Sequence, residues 1–275
     1  MMEFAIGDKI FDGRRPVIMG ILNVTPDSFS DGGRYFVKER AEERAIEIQE
    51  EGADILDIGG ESSRPGAESL CVEDEIARVI PVLETIMPHL SIPVSIDTTK
   101  AEVAERALDL GAAIVNDISA FRFDHRMVEL SGAYNCSVVL MHMAGNPQTM
   151  QQSPSYENVE EDILVFLQER ISFAVAHGVS RSRIIVDPGI GFGKTLEHNL
   201  AILKNIDRFH ETGCPILVGT SRKKMIETIT GAAPGERDWG TAALTAWCVY
   251  QGVEIHRVHN VKAMRQVCDM ASALR

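Results

Sequence analysis

The sequence lacks the usual marks of an exported, membrane-bound or disulfide-held protein. Its five cysteines, Cys71, Cys136, Cys214, Cys248 and Cys268, are odd in number, scattered and never spaced C-x-x-C. That argues against a disulfide framework or a thiolate zinc site and leaves buried free thiols as the expectation. No apolar run approaches the ~20 residues of a membrane span. The opening MMEFAIGDKIFDGRRP has acids and glycines where a secretory signal needs a basic start and an apolar core. A soluble cytoplasmic protein without membrane contact is therefore expected. Positive charge is also short, with 27 Lys and Arg against 40 Asp and Glu, for a net charge of -13 and a pI near 5.1. Such a surface repels phosphate backbones, which argues against nucleic acid as a partner. A small anion needs a local basic pocket.

Nucleotide-binding loops are missing too, although Arg183 to Thr195, RIIVDPGIGFGKT, invites that reading. A phosphate-binding loop requires G-x-x-x-x-G-K-[ST], and Pro188 stands where its first glycine belongs. A dinucleotide fingerprint starting at Gly189 would need glycine where Lys194 stands. Both motifs miss by one residue.

No long Pro, Ser or Gly linker divides the 275 residues, which are 45% hydrophobic, so one domain over 1–275 is expected. Short apolar runs alternate instead with amphipathic stretches. The runs are Val17–Asn23, Asp54–Gly60, Pro93–Asp97, Ala113–Asp117, Ser137–His142, Arg183–Gly189, Pro215–Ser221 and Ile255–His259. Runs this short, rich in Val and Ile, read as buried parallel strands. The stretches between them read as helices. One has an acidic start at EDEIARV and holds Pro81, where it can kink. Another has Thr99 three residues before Glu102, a capping-box spacing, and Gly111 at its end. RDWGTAALTAWCVYQG is nearly all apolar or small and reads as a buried helix. Strand-then-helix, about eight times in this length, predicts a (β/α)8 TIM barrel. EFAIGDKIFDG ahead of the first strand predicts a short N-terminal β-hairpin at its bottom. A doubly wound open sheet would need fewer units or a second domain.

A barrel requires catalytic groups at the C-terminal ends of its strands, and the polar residues fall there. The runs end in or contain Asn23, Asp57, Asp97, Asn116, Asp117, His142, Asp187, Thr220 and Ser221, Arg257 and His259. Thr98, Thr99 and Thr195 read as helix caps, and Ser221 as a cap, a site residue or both. His142 is open between a structural and a site role. Asp97 and Asp187 each end an apolar strand directly, where an unpartnered carboxylate is costly, so both are site candidates. Arg257 and His259 alternate along one strand, point the same way, and suggest an anion site.

Eight ordered segments then resemble one family. IMGILNVTPDSFSDGG and DIGGESSRPGA look like signature segments of the dihydropteroate synthases. SIDTTKAEVAERAL, IVNDISA, LMHMAGNPQTMQ, VDPGIGFGKTLEHNL, VGTSRKKMI and RVHNV follow in the family's order. The resemblance implies a (β/α)8 barrel that joins p-aminobenzoate to 6-hydroxymethyl-7,8-dihydropterin pyrophosphate, releases pyrophosphate, and is blocked by sulfonamides. It implies a pterin pocket of Asp97, Asn116 and Asp187 completed by Met141, Phe192, Gly219 and Lys223. It implies that Asn23, Arg257 and His259 hold pyrophosphate with Mg2+, Asn23 toward the metal. Ser63, Arg64, Pro65, Ser221 and Lys223 would border the p-aminobenzoate site, and Phe29 would lie on a loop covering it. Asp97, Lys223, Arg257 and His259 would carry the catalysis, and a homodimer is implied. Two residues depart from the family pattern: Ser63 replaces a common Thr, and Cys71 replaces a Ser that would cap a helix better. The alternatives are a pterin- or folate-binding methyltransferase-like barrel and a non-catalytic paralogue.

Overall fold

The structure, a computed structural model, describes residues 3–7, 9–25, 34–62, 66 and 69–275, with residues 34–37 as backbone only. An antiparallel hairpin, β1 (Phe4–Ile6) and β2 (Lys9–Phe11), precedes eight parallel strands. These are β3 (Val17–Asn23), β4 (Ile55–Gly59), β5 (Val94–Asp97), β6 (Ile114–Asp117), β7 (Ser137–Met141), β8 (Ile184–Asp187), β9 (Leu217–Val218) and β10 (Ile255–Val258). Each expected run contains one of them. Their order, β8-β7-β6-β5-β4-β3-β10-β9, becomes a ring through one parallel bridge, Val186 to Ile216. There the Val186 amide donates to the Pro215 carbonyl at 3.0 Å.

Helices α1 (Arg34–Glu50), α2 (Val72–Ile86), α3 (Ala101–Asp109), α4 (Arg126–Tyr134), α5 (Val159–Ala176) and α6 (Leu196–Lys204) lie between strands. They are followed by α7 (Lys224–Thr230), α8 (Asp238–Tyr250) and α9 (Val261–Ala273). One large apolar layer joins the outer faces of the strands to these helices. A second fills the barrel's lower interior: Val17, Met19, Ile55, Ile114, Val139, Ile185, Leu217 and Ile255, plugged by Phe4 and Ile6 of the hairpin. The hairpin therefore closes the bottom, as expected, and the Ser137 hydroxyl donates to its Ala5 carbonyl.

Several local expectations need correction. The Thr99 capping box does not form. Lys100 is the N-cap of α3 without a side-chain bond, the Thr98 hydroxyl accepts from the Lys100 amide, and Asp124 accepts from the first helical amide, Ala101. The helix start is thus held by a carboxylate distant in sequence rather than by the local threonine. Thr195 does cap α6, in a reciprocal box with His198. Cys71 caps α2 through its sulfur, which accepts from the Asp74 amide at 3.4 Å. Pro81 sits within α2, which continues past it to Ile86. Helix α8 is not buried: Trp239 is 87% exposed, and Trp247 and Tyr250 are also exposed. Thr241, Thr245, Cys248 and Val249 of α8 are buried, and Ala242, Leu244 and Ala246 pack half-buried against the core. Of the cysteines, all but Cys71 are buried free thiols.

Candidate active site

Side chains alternate in and out along a strand, so the residue two positions beyond each lower-layer residue points into the barrel mouth. Stepping two from Ile55 reaches Asp57; from Ile114, Asn116; from Val139, Met141. The same step from Ile185 reaches Asp187; from Leu217, Gly219; from Ile255, Arg257. Ser95, paired with Asp57 across the sheet, leads in the same way to Asp97. The apolar layer thus ends abruptly, and the next layer is polar. That switch from apolar to charged, at one level around the ring, makes the site.

Arg257 is the centre of this layer. Its Nε donates to Asp57 at 2.6 Å and its Nη2 to Asp97 at 2.6 Å. The Asn116 amide donates to both Asp57 oxygens, at 3.4 and 3.3 Å. Asp187 accepts from the Gly189 amide at 2.7 Å. Several carboxylates share few cations in a dry pocket, and the charges respond. Burial pushes Asp97 up to about 7; Arg257 opposes it, while Asp57, Glu75 and Asp117 add to it. Burial likewise pushes Asp187 up to about 6. Burial pulls Lys223 down to about 8, with Asp187 resisting. Burial works against the Arg257 charge too, but Asp57 and Asp97 more than reverse it and raise its pKa.

One wall is apolar. Met141 packs with Ile118, Met143 and Met150, and Phe192 leans on that cluster. The Lys223 ammonium lies 4.1 Å from the centre of the Phe192 ring, a cation–π contact. Two glycines of the loop after β8 make close approaches within the fold. A side chain on Gly189, at φ +69°, would meet the His142 carbonyl at 2.0 Å, and one on Gly193, at φ +65°, would meet Ala144 at 2.6 Å. The loop is pressed against the end of β7. Lys194 is turned inward to lock it, its Nζ 3.0 Å from His142 Nδ1 and 3.0 Å from the Phe192 carbonyl. Burial, with Lys194 and Arg122 nearby, pulls His142 down to about 2. His142 also packs edge-on against Phe166, contacts that suit the structural reading of it.

A second, open cavity of about 600 Å3 lies beside Asn23, Arg44, Arg222, His259 and Asn260. Ser221 belongs here rather than to a helix start. Its oxygen accepts the His259 amide at 3.2 Å and lies 2.9 Å from His259 Nδ1. Helix α7 begins only at Lys224, with Lys223 as an N-cap that makes no side-chain bond. The expected cap role of Ser221 is thus replaced by a bond across to the end of β10. Arg257 and His259 were expected to share one task. The structure ties Arg257 to Asp57 and Asp97, and His259 to Ser221 at the second cavity.

Phe29, Ser63, Arg64 and Pro65 lie outside the described residues. Asp57 lay within an apolar run, yet its role was missed; the step of two from Ile55 would have exposed it. Also missed were Lys100, which bridges Glu61 and Glu75, and buried Lys194. Among the described residues no three His, Cys, Asp or Glu side chains gather as metal ligands. Asn23 offers one amide oxygen at the end of β3. That donor set suits a hard cation which takes most of its ligands from substrate phosphates and water.

Barrel and polar layer together are those of an α/β-barrel enzyme, whose polar groups gather at the C-terminal ends of the strands. The family described as pterin binding enzyme matches residues 19–259. The dihydropteroate synthase of Synechocystis sp. is 44% identical, over 98% of this chain and 94% of its own. The structure of Yersinia pestis dihydropteroate synthase with a sulfonamide drug complex superposes with TM-score 0.94 at 38% identity, covering 100% of this chain and 99% of that one. The Xanthomonas albilineans enzyme with 4-aminobenzoic acid gives TM-score 0.92 at 40% identity, over 99% and 97%. The chain belongs to the pterin-binding enzymes and, within them, to the dihydropteroate synthases. Its activity is transfer of a pterinylmethyl group from 6-hydroxymethyl-7,8-dihydropterin pyrophosphate to p-aminobenzoate, in folate biosynthesis.

Proposed function

We propose that the polar layer above the barrel core is the pterin pocket of this transferase, with residues 1–275 acting as one domain. The carrying observation is the Asp57–Arg257–Asp97 cluster with Asn116 and Asp187 on the same level. A pterin edge presents a row of N–H donors, which carboxylates accept well. Asp97 and Asp187 take these donors, and Asn116 can both donate and accept. Met141, Phe192 and Lys223 enclose the ring, and Gly219 leaves its floor open.

Asn23 and His259 hold the pyrophosphate in the open cavity, and Arg257 reaches it from the pocket side. Mg2+ held by the pyrophosphate and Asn23 would supply charge neutralisation of the leaving group. When the C–O bond to pyrophosphate breaks, positive charge develops on the pterin methylene. Asp97, ionised and adjacent, stabilises that charge, and the arylamine nitrogen then forms the new C–N bond. No covalent nucleophile is required. Ser63, Arg64, Pro65, Ser221 and Lys223 border the p-aminobenzoate site, with Phe29 in a covering loop that excludes competing water. Sulfonamides occupy the same site, as the Yersinia pestis complex suggests. The expected homodimer uses the exposed apolar side chains of α8 and α9, in a cytoplasmic setting. No helix among the described residues is long and apolar enough to cross a membrane.

Calorimetry with free 6-hydroxymethylpterin tests the pocket. Asp97→Ala and Asp187→Ala should each lose roughly 2–3 kcal/mol of binding, the size of a charge-assisted pair. Wild-type affinity in both variants would remove the pocket from this layer.

A further inference from the structure

Arg222 stands between two site residues, Ser221 and Lys223, and its backbone is unusual. Its φ is +56°, a left-handed conformation rare for a residue with a side chain and concentrated at functional sites. The conformation lets consecutive residues diverge, Ser221 toward His259 and Lys223 toward Phe192. Something must hold it, and the start of α8 does so at several points. The Arg222 amide donates to Thr241 Oγ1 at 3.0 Å, and Arg237 donates to the Arg222 carbonyl at 3.1 Å. Asp238 accepts from Arg222 Nε at 2.8 Å and Nη2 at 3.0 Å.

The same carboxylate has a second partner. Asp238 Oδ2 accepts from the Asn260 side-chain amide at 2.9 Å, and Asn260 directly follows His259. One aspartate therefore ties the turn after β9 to the turn after β10. Those turns carry the two halves of the Ser221–His259 pair. Arg222 holds the Asp238 carboxyl below the usual carboxylate range, with Asn260 and His259 adding to this. Arg222 meets Asp238 in a two-point pairing through Nε and Nη2, which fixes the direction of its side chain.

We propose that Asp238 is a positioning residue for the leaving-group site, clamping the Ser221–Lys223 turn to the end of β10 through Arg222 and Asn260. This rests on the assignment of Asn23 and His259 to pyrophosphate. Asp238 itself touches no substrate in this account. It fixes the separation and orientation of groups that do, and positioning errors of this kind weaken one ligand rather than all.

The test is calorimetry with two probes, Mg2+-pyrophosphate and free 6-hydroxymethylpterin, on wild type, Asp238→Asn and Arg222→Gly. Asp238→Asn should weaken pyrophosphate on the order of tenfold, the scale of one lost bond to a charged group, and leave the free pterin unchanged. Arg222→Gly cuts the same clamp from its other side and should reproduce the selective loss, because glycine holds a positive φ without strain but offers Asp238 no partner. Asn260→Ser keeps a cap for α9, cuts the tie, and should reproduce the selective loss should Asp238→Asn fail to fold. Equal weakening of both probes by Asp238→Asn would overturn the proposal. So would loss of pyrophosphate binding in Arg222→Gly with Asp238→Asn unaffected, since Arg222 would then be the anion's ligand. Wild type that binds no Mg2+-pyrophosphate would instead overturn the leaving-group assignment itself.

Discussion

Asp97 shows most clearly how one residue's surroundings set its task. It ends a buried strand, shares Arg257 with Asp57, and is pushed up by burial to about 7, while Asp187 goes to about 6. Both carboxyls therefore bind protons more tightly in the folded chain than in the unfolded one. Their ionisation destabilises the fold, so their contribution to stability falls as pH rises from about 4 through about 7. Ligand binding runs the opposite way. A pterin edge needs ionised acceptors, so its affinity should climb between about pH 5 and pH 8. Titration of free hydroxymethylpterin across that range checks the sign. Asp97→Asn should flatten the rise, and a flat wild-type profile would show that the carboxylates are already ionised at pH 5. Arg257 explains why the cluster is tolerated at all. Without it, the Asp57 and Asp97 carboxylates would face one another with no guanidinium bonded between them.

At the scale of the element, the loop after β8 was partly legible and partly not. Its failure to match a phosphate-binding loop was plain from Pro188 and Lys194. The reason for its glycines was not, because it lies in a different strand's end. Gly189 faces the His142 carbonyl and Gly193 faces Ala144, contacts between residues about fifty apart that no local pattern encodes. Gly189→Ala should therefore cost at least ~2 kcal/mol of stability, combining a left-handed alanine with a backbone clash. Thermal or urea unfolding of that variant measures it, and a loss below ~1 kcal/mol would mean the β7 end yields easily. The strands were readable because their runs of Val, Ile and Leu carry the signal locally. So were the polar residues at strand ends, such as Asp97, Asn116 and Asp187, which the strands bring to one level. Caps were read less well: Thr195 behaves as its spacing predicts, whereas at α3 the donor goes to Asp124 from a neighbouring loop. Lys100 and Lys194 were hidden for the same reason, since their roles depend on partners distant in sequence.

At the scale of the molecule, the barrel separates stability from chemistry by level. The hairpin and the lower apolar layer close one end, and the polar layer opens at the other. The outer surface has a similar division. The misjudged helix α8 presents Trp239 and Tyr250, while α9 presents Met270 and Leu274, all more than half exposed. These exposed apolar side chains are what the proposed homodimer would cover. Sedimentation should give a species of twice the 30.3 kDa chain, and Trp239→Glu should shift it toward the monomer. A wild-type monomer at micromolar concentration would move the association face out of this account.

The most direct test of the whole account is release of pyrophosphate by the purified chain. The account predicts release that requires p-aminobenzoate and 6-hydroxymethyl-7,8-dihydropterin pyrophosphate together. It should fall on removal of Mg2+ and fall at least ~100-fold in Asp97→Ala, the scale of one lost electrostatic stabiliser. Release at the wild-type rate in that variant, or no release when both substrates and Mg2+ are present, would contradict it.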